Sequence, residues 1–130
     1  MVKKLVIVNV VLLLALLLSG VAYAQDGIVA AANLYFSAGT KNISAADLYD
    51  VLNDGDDSND PFLLDCRAPE HYAIGHIDGA VNIPTGTLAA NLSQLPTDRE
   101  IVGICYTGRA SSYVVSMLNL MGYDARNLLY

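Results

Sequence analysis

The sequence predicts a single α/β domain: a parallel sheet with helices on both faces. Short apolar runs read as buried strands: FLLD at 62–65, AVNIP at 80–84 and EIVGIC at 100–105. Between them lie stretches with helical spacing, with Leu48, Val51 and Leu52 in one and Val114, Val115, Leu118 and Met121 in another. Strands alternating with helical patterns indicate parallel β/α units, because a parallel crossover needs a helix to return the chain. The chain has 130 residues, enough for one such core and no second domain.

The first 24 residues read differently. Lys3 and Lys4 make a short positive start, Leu5 to Leu18 is apolar except for Asn9, and Ala22-Tyr23-Ala24 supplies small residues at the positions a signal peptidase requires. This predicts a secretory signal peptide over 1–24, cleaved before Gln25, and an exported protein, periplasmic or secreted. From Leu5 to Ala24 the stretch nears the ~20 residues of a membrane span, but a short apolar core followed by a cleavage site favours removal over an anchor. The membrane is therefore a partner only if the leader stays uncleaved. Without Lys3 and Lys4, five basic residues stand against thirteen acidic, a net −8. Such a balance offers nothing to nucleic acid. Export also implies an oxidising compartment, in which Cys66 and Cys105 are the only two thiols. They are too few for a disulfide framework.

After the leader, residues 25–42 are small and mixed, and read as a loosely structured lead-in to a domain over 43–130. Ser44 is a helix N-cap with Asp47 three residues on, opening a helix of two to three turns. Residues 53–61, NDGDDSNDP, form a polar turn. Asp54, Asp56, Ser58, Asp60 and Asp65 fit the ligand spacing of a calcium loop, but Asn59 stands where glycine belongs and Asp65 falls in a strand, so calcium is rejected. After FLLD the chain is turn-rich, with one helical turn near Glu70–Ala73. A short helix is expected between Thr87 and Leu92. A longer one starts at Arg109 and ends at Gly122, a C-cap glycine, and DARNLLY begins a last strand.

The segment CYTGRAS, 105–111, joins a buried strand to that longer helix. A thiol there faces backbone N–H groups and the positive end of a helix dipole, both of which favour thiolate. Gly108 lets the loop curl so that its amides converge, and Arg109 adds a cation. Spacing alone leaves two readings open: a nucleophilic sulfur in an anion cradle, or an ordinary buried cysteine before a helix. Cysteine phosphatases share the design but place five residues between cysteine and arginine. Here only Tyr106, Thr107 and Gly108 intervene, a tighter loop that suits a single sulfur atom better than phosphate.

Two motifs together carry a resemblance. LLDCRAPEHYAIGHIDGAVNIP, 63–84, and CYTGRAS, 105–111, resemble the signatures of the single-domain rhodaneses, most closely the small exported bacterial ones. The resemblance implies a doubly wound parallel α/β fold and a thiosulfate sulfurtransferase in which Cys105 forms a persulfide. It implies a cradle from Tyr106, Thr107, Gly108, Arg109, Ala110 and Ser111, loop bracing by Asp65 and Arg67, and no metal or organic cofactor. The partners would be a small anionic sulfur donor and a thiophilic acceptor such as cyanide or a thiol. His76, in the Gly-His-Ile segment, reads as structural, and His71 as simply exposed.

Two departures stand out. Cys66 replaces an aliphatic residue; it is either a small buried hydrophobe or a thiol that resolves an oxidised Cys105. The chain also stops at Tyr130, before the helix with which the family closes, so it is either a fragment or a fold lacking one covering helix. Besides catalysis, a non-catalytic module for protein binding or redox sensing fits these residues, and a cysteine phosphatase or arsenate reductase fits them less well.

Overall fold

The computed structural model describes residues 26–130. The expected signal peptide lies outside the described residues. The lead-in is not loosely structured: residues 26–37 form a helix, α1. Its sequence, DGIVAAANLYFS, gives no clear helical stripe, but its three central alanines have the highest helix propensity. A compact unit runs from Tyr35 to Tyr130, so it takes in part of what the sequence assigns to the lead-in. The Tyr35 hydroxyl shares a 3.0 Å hydrogen bond with the Ser116 hydroxyl inside that unit.

Five parallel strands form one sheet: β1 (Asn42–Ser44), β2 (Phe62–Asp65), β3 (Val81–Asn82), β4 (Ile101–Ile104) and β5 (Ala125–Leu129), in the order β1-β5-β4-β2-β3. The three-residue β1 escapes the sequence reading because only Ile43 in it faces a core. Strand β3 is shorter than AVNIP suggests, as Pro84 cannot continue the ladder.

Helix α2 (Ala45–Leu52) starts at the predicted cap, with the Ser44 hydroxyl oxygen accepting from the Asp47 N–H at 3.0 Å. Helix α3 (Pro69–Ile74) extends the expected single turn, Pro69 having the fixed φ that suits a first helical position. The short helix expected between Thr87 and Leu92 is 3₁₀ in form, in two pieces, Thr85–Ala90 and Leu92–Gln94. Helix α4 (Arg109–Leu120) begins at Arg109 as the pattern implies, and Gly122 follows it with φ +93°.

The sheet separates two cores. On the α4 side Leu64, Ile101, Val114, Val115 and Leu118 pack together. On the α2 side Ile43, Leu48, Leu63, Val102, Ile104 and Leu128 do so. Burial of each of the large aliphatics contributes about 1.5–3 kcal/mol. Helices on both faces of an all-parallel sheet make the fold doubly wound, as expected. Beside β5 on the α2 side lies an open apolar groove lined by Leu48, Tyr49, Leu52, Ile77 and Leu128.

The strand order places the site. From β2 the chain moves outward to β3, and from β4 it moves the opposite way to β5, so the order reverses between β2 and β4. In such sheets ligands bind beyond the C-terminal strand ends at that reversal. The residues just beyond these two strand ends are Cys66 and Cys105.

Candidate functional site

Cys105 comes directly after β4 and is almost fully buried, 3% exposed. The loop after it turns at Gly108, whose φ of +74° lies in the left-handed region that glycine adopts without strain. A side chain there would also crowd the Asn127 amide and the Leu128 carbonyl, each 3.2 Å from the Cβ position. The turn brings the first residues of α4 over the sulfur. Ser111 donates to Cys105 Sγ twice, from its N–H at 3.4 Å and from its hydroxyl at 3.2 Å. Gly103 makes this approach possible: a Cβ on it would come within 2.9 Å of the Val115 methyl and 3.4 Å of Ser111 Cβ.

Burial by itself would push the Cys105 thiol up. The Ser111 hydroxyl, with the N–H groups of Ser111, Thr107 and Ala110, outweighs burial and holds the thiol below its ordinary value of 9.0. Charge on sulfur is thus stabilised by short-range donors. Tyr106 turns its ring outward and is 55% exposed. Arg109 is exposed and forms no ion pair among the described residues. A cation in the first turn of a helix works against the dipole, so Arg109 does not serve the stability of α4.

Asp65 and Arg67 lie together at the end of β2. The fully buried Asp65 carboxylate accepts from the Arg67 N–H at 2.9 Å and from its guanidinium at 3.0 and 2.5 Å. That pairing pushes the Arg67 guanidinium up, so it stays charged. Arg67 also donates to the Gly75 carbonyl at 2.7 Å and lies 5.6 Å from the centre of the Tyr106 ring. The pair ties β2, the end of α3 and the loop together. Asn82 adds a clasp, donating to the carbonyls of Asp65 and Arg67.

Cys66 sits in the α4-side core. The last paired positions of β2 and β4 are Asp65 and Ile104, so the two cysteines are the next residue on each of two neighbouring strands. Neither is in a disulfide. Burial, the nearby Cys105 and Asp65 push the Cys66 thiol up to about 12.

Two residues near the sulfur escape the sequence reading. Asn127, 3% exposed on β5, meets the Ser111 hydroxyl at 2.6 Å. Tyr130 donates its phenol to the Cys105 carbonyl. His71 meets the Tyr106 ring edge to face at 5.2 Å, so it is exposed but not isolated. Only the place of Asn127 in a strand next to β4, and of Tyr130 just past its end, could have signalled them. His76 hydrogen-bonds the Tyr72 carbonyl at 2.9 Å and stacks on the Tyr72 ring, a structural placement. The acidic turn binds itself: Asp54 accepts from the Asp56 N–H and the Asn59 amide, and Asp65 is held by Arg67.

Comparison with known proteins agrees with this architecture. A rhodanese-like domain protein from Staphylococcus aureus superposes with a TM-score of 0.63 at 30% identity, over 69% of this chain and 85% of that one. The human single-domain sulfurtransferase TSTD1 superposes with a TM-score of 0.58 at 28% identity, over 71% of this chain and 93% of its own. In sequence, 43 residues are 51% identical to part of the HTH-type transcriptional regulator Rv0324 of Mycobacterium tuberculosis, 33% of this chain but only 19% of that protein. The sequence signature of the rhodanese-like domain matches residues 44–129, two thirds of the chain, and the chain belongs to that family.

Proposed function

We propose that the chain is a sulfurtransferase that passes a sulfane sulfur from thiosulfate, or a similar anionic donor, to a thiophilic acceptor through a persulfide on Cys105. The observation that carries this reading is the set of donors on Cys105 Sγ, which lowers the thiol despite near-complete burial. The Cys105 thiolate attacks the outer sulfur of thiosulfate. The donor's S–S bond breaks, and sulfite leaves with the electron pair. Cyanide or a thiolate then attacks the outer sulfur of the persulfide and returns Cys105 as thiolate. Attack by the thiolate form needs no general base. The amides of Thr107, Ala110 and Ser111 hold the charge on sulfur before transfer and face the persulfide after it.

Arg109 draws in the dianionic donor, and Asp65 with Arg67 braces the loop. The similarity to TSTD1, named as a sulfurtransferase, supports the reaction class. The 1–24 leader pattern supports export to the periplasm or beyond. Thiocyanate formation from thiosulfate and cyanide tests the proposal. Wild-type chain should turn over, and Cys105→Ser should lose roughly 1000-fold or more. Folded wild-type protein with no turnover would overturn it.

One observation favours a second reading, redox sensing: the adjacent stations of Cys66 and Cys105. A hydroperoxide would oxidise the Cys105 thiolate to a sulfenic acid. Cys66 would then attack that sulfur, forming a disulfide with loss of water. Intact-mass measurement after mild peroxide should show a loss of two hydrogens in wild type and none in Cys66→Val. Two free thiols in wild type would remove the reading.

A further inference from the structure

Ser111 presents an arithmetic problem in protons. Its hydroxyl lies 3.2 Å from Cys105 Sγ and 2.6 Å from the Asn127 side-chain oxygen as that amide is oriented. All three residues are buried, Ser111 completely, so no bulk water supplies a missing partner. A hydroxyl has one proton to donate, and both a thiolate and an amide oxygen only accept. One proton cannot serve two acceptors.

Two arrangements satisfy every group. With Cys105 as a thiol, its S–H points to the Ser111 oxygen and the Ser111 proton goes to the Asn127 oxygen. With Cys105 as a thiolate, Ser111 donates to sulfur, and its oxygen is left to accept. Half a turn of the Asn127 amide then brings the –NH₂ to Ser111. Nitrogen and oxygen have nearly the same size, so the turn leaves the packing unchanged. The other end of the amide faces the Asn42 side chain at 3.4 Å. Asn42 is exposed and can reorient into solvent at little cost.

We propose that Asn127 is a positioning residue for Cys105: its amide turns with the charge on sulfur and, by donating to Ser111, frees the Ser111 proton for the thiolate. This rests on the reading of Cys105 as the reactive thiol, though not on any particular sulfur donor. An aliphatic side chain at 127 could pack, but it could not donate to Ser111. A carboxylate there could only accept, and would take the Ser111 proton away from sulfur.

The test is the pH profile of Cys105 alkylation by iodoacetamide, with Cys66 replaced by Val throughout so that one thiol is read. Asn127→Leu should move the half-point up by roughly half to one pH unit, a three- to tenfold loss of reactivity below it. In a Ser111→Ala background the same change should move nothing further, because Asn127 acts only through Ser111. Asn127→Thr, whose hydroxyl can donate or accept, should restore most of the profile. An unmoved half-point in Asn127→Leu, or an equal shift with and without Ser111, would overturn the proposal. Should Asn127→Leu fail to fold, the unsubstituted chain still decides the matter. The side-chain ¹⁵N resonance of Asn127 should titrate with the half-point of Cys105 alkylation, and a resonance indifferent to that titration would overturn it equally. Alkylation needs no sulfur donor, so failure here and failure of the sulfurtransferase reading remain separate results.

Discussion

Cys66 and Cys105 stand one residue past the paired ends of neighbouring strands, and both are about 95% buried or more. Burial raises both thiols. The Cys66 thiol lies 3.8 Å from the Leu64 carbonyl, and burial, with the nearby Cys105 and Asp65, pushes it up to about 12 despite a backbone hydrogen bond at Ile104. Cys105 accepts from the Ser111 hydroxyl and from the amides of a loop curled over it, and is held below its ordinary value. Much of the difference lies in the segment each strand leads into. Strand β2 runs into a turn tied to Asp65, and β4 into a helix start whose N–H groups point back. At Cys105 oriented donors outweigh burial, whereas at Cys66 burial and nearby negative charge prevail.

Destroying the cradle should erase the contrast. Gly108→Val forces a β-branched residue to φ +74° and against Asn127 and Leu128. It should cost about 1–3 kcal/mol of stability and, by displacing the donors, roughly 100-fold in thiocyanate formation. A folded variant with near-normal turnover would mean that the loop's curl is dispensable.

The other thiol can be sharpened through stability. The folded chain keeps the Cys66 proton up to about 12, whereas the unfolded chain releases it near 9.0. Between those values the folded state binds more protons, so stability falls as pH rises, by about 1.4 kcal/mol per pH unit for this group. Urea midpoints at pH 8 and 10 should therefore converge in Cys66→Val relative to wild type. Identical pH slopes would mean that Cys66 ionises as freely folded as unfolded.

The smallest effect should come from Arg109→Gln. An exposed charge contributes about 0.2–1 kcal/mol, so KM for thiosulfate should rise roughly two- to fivefold and the rise should fade in high salt. The alkylation half-point of Cys105 should hardly move, since its sulfur is served by neutral donors. A large shift there would transfer the credit from the amides to the cation.

Legibility depends on range along the chain. The cradle from Cys105 to Ser111 is one continuous segment, and its glycine, thiol and helix start are readable from seven letters. Strands β2 and β4 show as apolar runs because parallel strands bury both faces. Asn127 and Tyr130 meet the site from 16 and 25 residues away, through the lateral pairing of β5 with β4, and no local pattern encodes that pairing. Strand β1 is hidden by its length, and the helix over 26–37 by apolar residues that cluster at its two ends instead of recurring along one face. Cys66 is visible as a departure, but its environment depends on Ile104 and Cys105, about forty residues on.

Gly103 sets a condition on moving this chemistry elsewhere. The seven residues CYTGRAS look portable, a cassette to be inserted at any junction of a parallel strand and a helix. Yet the helix stands close enough for Ser111 to reach sulfur only because the strand is bare two residues before the cysteine, where even a methyl group would lie 2.9 Å from Val115. A recipient scaffold with alanine at that station would hold the helix off by a fraction of an ångström. The grafted cysteine would then have the right neighbours in sequence and an ordinary thiol in practice. The transferable unit is no smaller than the nine residues GICYTGRAS, and it begins with an absence of side chain on the strand.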